Sequence, residues 1–121
     1  MSMELPIIDE AVLNELKMSV GGDTSFVAEV AQAYLSEGDG HIAQISAGLA
    51  DGDVAAMVRP AHTLKSSSAA LGAARLADIC RSIEHAARDG QLDRLDALVA
   101  EATAAWQETV AAMTEMGLAA S

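Results

Sequence analysis

A histidine, a lysine three residues further on and a run of three serines stand together in AHTLKSSSAALGA, residues 61–73. Positions three and four apart on a helix share a face, so Val58, Arg59, Lys65 and Ser66 are the surface neighbours of His62. A neutral imidazole has an accessible nitrogen lone pair near pH 7 and attacks phosphorus without a strong base beside it. The phosphoramidate so formed carries negative charge, which Lys65 and Arg59 are placed to offset in a chain with only seven basic residues. Ser66, Ala69 and Ala70 have short side chains, and they keep the surface around the imidazole low enough for another protein's active-site loops. A leucine or glutamate there would stand in the way.

The segment that carries these residues has a helical stripe of its own: Val54, Met57 or Val58, Ala61, Leu64, Ser68 and Leu71, with Asp53 as N-cap and Gly72 as its end. His62 follows the core residue Ala61 and so turns about 100° out of that stripe onto an exposed flank. Ser68 falls on the stripe, where its hydroxyl is expected to bond a carbonyl one turn back. Pro60 removes the hydrogen bond to the carbonyl of Ala56 and predicts a bend about half a turn before His62. It either helps to present the imidazole or is tolerated on the solvent side of the helix.

Four further segments show the same period. A short helix begins at Asp9, runs toward Met18 and ends at Gly21-Gly22. Asp23 or Thr24 caps the next, whose stripe is Phe26, Val27, Val30, Tyr34, Ile42, Ile45 and Leu49. The phase before Gly38 and Gly40 continues after them, which predicts one long helix; each interior glycine costs about 1 kcal/mol relative to alanine, so a broken pair is the competing layout. Beyond the histidine segment, Leu76, Ile79, Cys80, Ile83 and Ala87 form a stripe that stops at Asp89-Gly90. Leu92, Leu95, Val99, Ala102, Trp106, Val110 and Met113 form the last, and the tail GLAAS is expected to fray. Turns of a few residues make consecutive helices antiparallel neighbours. The expected fold is all-α: an antiparallel up-down-up-down four-helix bundle with a short N-terminal capping helix. It forms a single domain over residues 1–121, with the bundle core at about 23–116.

Composition agrees and excludes other classes. Half of the 121 residues are apolar, yet Phe26, Tyr34 and Trp106 are the only aromatics, so the core is built from aliphatic side chains and methionine. Trp106 reads as a plug between helices. With 18 acidic residues against seven basic ones the formal net charge is −11, which repels nucleic acid and anionic membrane surfaces. No apolar run approaches the roughly 20 residues of a membrane span, and the N-terminus has no signal-peptide pattern, so a cytoplasmic protein is expected. Cys80 is alone and is expected to be a buried free thiol.

RPAHTLKSSSAALGAARLADICRSIE, from Arg59 to Glu84, resembles the histidine-containing phosphotransfer (HPt) family, whose pattern is H-x-L-K-G-S-S, then L-G, then C-x-x-[LI]-E on the next helix. His62, Leu64, Lys65, Ser67, Ser68, Leu71, Gly72, Cys80, Ile83 and Glu84 fall in place, and Ser66 stands where the family has a small glycine. The resemblance extends through apolar spacing from Phe26 to Trp106. It implies a phosphorelay intermediate: His62 takes a phosphoryl group from the aspartate of one response-regulator receiver domain and passes it to another, with Lys65 stabilising the group. Ser66, Arg59 and Ala69 would belong to the receiver docking surface. The receiver would supply Mg²⁺, the chain needing no cofactor of its own, and a hybrid histidine kinase would be a further partner. Nε2 would be the attacking atom.

Two other classes compete. One is a docking module that binds a receiver or kinase without transferring phosphate; the presence of both His62 and Lys65 argues against it. The other is a metal- or haem-binding bundle using His41, His62 or His85, for which two inward-facing ligands from different helices are required. His41 has Glu37 and His85 has Asp89 at helical spacing, which predicts surface histidines with loose ion-pair neighbours. No glycine-rich nucleotide loop is present, so an autonomous kinase is not expected. The initiating Met1 and the self-contained bundle favour a stand-alone protein, and a monomer is expected because the stripes are used up by the core.

Overall fold

The computed structural model describes residues 5–118, and all of the regular structure in it is helical. The helices are α1 (Glu10–Ser19), α2 (Thr24–Ala50), α3 (Ala55–Ala70), α4 (Ala74–Asp89) and α5 (Leu92–Glu115). Contacts run α2 to α3, α3 to α4, α4 to α5 and α5 back to α2, which closes a ring of four; α1 packs against α2. Consecutive helices of the ring are joined by only two to four residues, so each reverses the direction of the one before. Leu13 is the buried contribution of α1 to the core.

Aspartates start the helices as their spacing predicts. Asp9 accepts from the amide of Ala11, Asp23 from that of Phe26 and Asp53 from that of Ala56. The histidine helix begins one residue later than its cap suggests, after Val54, which is already in helical conformation. Gly72 ends the turn between α3 and α4 with φ +81°, and its carbonyl accepts from the amide of Asp9 at 2.6 Å. A side chain there would be strained by the backbone and would meet the Asp9 carbonyl oxygen, so this glycine lets the start of α1 seat on the α3–α4 turn.

The long second helix is unbroken through Gly38 and Gly40. Packing explains Gly38: a Cβ built there lies 2.0 Å from the Trp106 ring, so the bare backbone is what admits the indole between α2 and α5. Trp106 is buried, stacks edge-on against Tyr34 at 5.4 Å and donates its indole N–H to Asp39 at 2.7 Å.

Several expectations need correction. Phe26 and Leu92 lie on predicted core stripes but are 42% and 56% exposed; both are in first turns, where the bundle ends and no facing helix covers them. Pro60 is buried rather than on the solvent side, with α3 continuous through it. Its apolar ring adds to the core side of α3, while Ala56, which loses the hydrogen bond, is exposed to water. In the tail GLAAS, Gly117 and Leu118 bond back to Thr114 and Met113, closing the end of α5; residues 119–121 lie outside the described residues, as do residues 1–4.

Candidate functional site

His62 stands on the flank of α3, as the step from buried Ala61 predicts, with its side chain 54% exposed. Across the interface with α4, Glu84 reaches it from a side chain only 3% exposed. The imidazole Nδ1 lies 3.1 Å from Glu84 Oε2 and 3.3 Å from Oε1. An ionised carboxylate only accepts, so Nδ1 carries the proton and donates it. For the neutral ring that selects the tautomer with the lone pair on Nε2, a nitrogen that makes no hydrogen bond among the described residues.

Glu84 is held by two cations as well. Lys65 Nζ donates to Oε1 at 2.8 Å, and Arg88 Nη1, one turn further along α4, forms an ion pair with Oε2 at 2.7 Å. The Lys65 hydrogen bond is the main influence that holds this carboxyl below the usual carboxylate range; burial opposes it, and His62 and Arg88 assist. A nearly buried carboxylate with two donors and a further ion pair is a well-satisfied charge, and no buried side-chain polar atom among the described residues lacks a partner. Lys65, expected to offset the phosphoryl charge, is already engaged by Glu84, within one helical turn of His62.

Sequence reasoning took Glu84 as part of a family pattern and gave it no role, and it missed Arg88. The signal for Arg88 was the i, i+4 spacing from Glu84. The pairing of His62 with Glu84, 22 residues away on another helix, has no local signature.

Ser66 and Ala69 are exposed on the same helix, and Arg59 is exposed one turn before His62. Arg59 makes no contact with the Glu84 cluster; it lines an open cleft between α2 and α3 together with His41, Asp51, Asp53 and Thr63. Ser68 is fully buried, and its hydroxyl bonds the Tyr34 hydroxyl at 2.7 Å rather than a carbonyl one turn back. The buried phenol needs a partner, and Ser68 meets that need while tying α3 to α2. Ser67 makes the expected kind of bond instead, to the carbonyls of Thr63 and Leu64. Cys80 is buried, and burial pushes its thiol up to about 12, which leaves it unreactive.

His85 is exposed and His41 partly so, and neither forms the anticipated ion pair among the described residues. Nor do three or more His, Cys, Asp or Glu side chains gather as a metal site among those residues. His41, His62 and His85 are thus not placed as the two inward-facing ligands that the metal- or haem-binding alternative requires.

A four-helix bundle that displays one histidine, braced from behind by a buried carboxylate and flanked by small residues, has the build of a phosphohistidine carrier. Residues 29–115 match the profile of the Hpt domain, and the chain belongs to that family. Its role is histidine phosphotransfer in phosphorelays, where Hpt domains work with receiver domains and kinases. The fold is similar to that of histidine-containing phosphotransfer protein B (HptB) from Pseudomonas aeruginosa PAO1, seen in its crystal structure. The two share 24% sequence identity over 92% of this chain and 94% of that one, with a TM-score of 0.81. No curated protein matches the sequence. No helix among the described residues is long and apolar enough to cross a membrane.

Proposed function

We propose that His62 is the phosphoacceptor of this domain, taking the phosphoryl group through Nε2 from a receiver aspartate and passing it to a second receiver. The observation that carries this is the Nδ1–Glu84 hydrogen bond, which orients the ring so that the lone pair of its neutral form lies on Nε2. Attack forms the Nε2–P bond and breaks the P–O bond of the acyl phosphate, whose electron pair leaves with the aspartate carboxylate. Positive charge then develops on the imidazole, and its Nδ1 proton already faces Glu84. The step reverses onto another receiver with the same atoms, so the protein's contribution is alignment and charge balance.

Lys65 stabilises the phosphoryl oxygens, and Ser66, Ala69 and Arg59 belong to the surface on which the receiver docks. Mg²⁺ comes with the receiver. Receiver domains and a hybrid histidine kinase are the partners, the cytoplasm is the compartment, and the protein acts as a monomer because the apolar faces of α2–α5 are spent on one another.

Incubation with a panel of phosphorylated receivers tests the proposal. The parent protein, His41→Gln and His85→Gln take up label that is acid-labile and alkali-stable, while His62→Gln folds and takes up none. Persistent labelling of His62→Gln moves the acceptor elsewhere.

A further inference from the structure

Glu84 has more positive charge around it than one carboxylate requires. One glutamate receives Lys65 at 2.8 Å and Arg88 at 2.7 Å, so with His62 neutral the cluster carries a surplus cation. The two cations are not equivalent. Lys65 is on α3 with His62, three residues away, and bonds Oε1. Arg88 is on α4 with Glu84 itself, four residues away, and pairs electrostatically with Oε2, the oxygen nearer to the imidazole Nδ1.

A phosphoryl group on Nε2 brings up to two negative charges to the α3 surface and draws a cation to itself. Lys65 shares that surface, but if it were the sole partner of Glu84 its departure would leave a nearly buried carboxylate without a counter-charge. Arg88 removes this conflict.

Given that His62 is the phosphoacceptor, we propose that Arg88 is a positioning residue that keeps Glu84 fixed against Nδ1 when Lys65 leaves the carboxylate for the phosphoryl group. Two cations on one glutamate thereby divide their work: one stays with the brace and the other moves to the substrate.

Phosphoramidate, a small donor that needs no docking surface, labels the protein while the lysine ¹⁵Nζ resonances are followed by NMR. In the parent, phosphorylation of His62 shifts the Lys65 Nζ signal and leaves that of the Arg88 guanidinium in place. Arg88→Ala, at a side chain 57% exposed, keeps its helicity; it labels about tenfold more slowly, as loss of one charge-assisted contact in the transition state predicts. Its Lys65 signal stays where it was, because the lysine is retained by Glu84. Arg88→Lys restores both the rate and the shift. Labelling of Arg88→Ala at the parent rate with the Lys65 shift intact overturns the inference alone, as does a parent in which the Arg88 signal moves and the Lys65 signal does not. A parent that takes no label on His62 overturns the phosphoacceptor assignment beneath it.

Discussion

At the scale of single residues, the histidine was legible in the sequence and its brace was not. His62 announces itself through Lys65 and Ser66 on one helical face, a pattern of local spacing. Glu84 acts across an interface, and which residue of α4 faces His62 depends on how the two helices pack. For the same reason the ion pair that Lys65 makes with Glu84 was not foreseen. The brace has a pH signature. Because the folded-state carboxyl is held below its ordinary value, its stabilisation is fully present above about pH 4.3 and is lost as pH falls through the folded value. Glu84→Gln keeps an acceptor for Nδ1 but cannot neutralise the developing ring charge, so labelling of His62 slows about tenfold or more. Its stability, measured by denaturant titration, falls less steeply than the parent's as pH drops below about 5. Parallel acid profiles for the two proteins would remove Glu84 from the account.

At the scale of elements, apolar periodicity and helix caps carried all five helices, including the unbroken run of α2. Periodicity erred where a stripe outran its partner, at Phe26 and Leu92 in first turns, and it was silent on why two glycines interrupt a good helix. Packing supplies the reason for one of them. A Cβ at position 38 would collide with Trp106, whereas one at position 40 meets nothing within 4 Å. Gly38→Ala is therefore expected to destabilise the bundle by about 1–3 kcal/mol through overpacking. Gly40→Ala should stabilise it by up to about 1 kcal/mol through helix propensity alone. Thermal or denaturant unfolding of the pair checks both signs, and a stabilised Gly38→Ala would mean that the indole is not seated against α2.

At the scale of the whole molecule, an acidic chain concentrates cations around one histidine. The net charge is −11, yet Lys65 and Arg88 lie together on the α3–α4 side that carries His62. Composition carries the overall acidity but could not foresee that local reversal of sign, because Arg88 reaches the site only through the packing of α4. Small exposed residues on α3 leave the approach to the imidazole open. Ser66→Tyr, one turn beyond His62, is expected to raise the receiver concentration needed for transfer about tenfold, equivalent to roughly 1.4 kcal/mol of lost docking. Labelling by phosphoramidate should be far less impaired in that variant, with helicity unchanged by circular dichroism. Equal losses with the receiver and the small donor would indicate damage to His62 rather than blocked docking.

The central claim, that Glu84 holds the His62 imidazole with Nε2 as the nucleophile, is tested most directly by ¹⁵N NMR of the histidine ring before and after phosphorylation. The account predicts that Nδ1 carries the proton of the neutral ring beforehand, and afterwards phosphorus coupled to Nε2 of His62 with Nδ1 still protonated against Glu84. Phosphorus on Nδ1 of His62, or on either of the other two histidines, would contradict it.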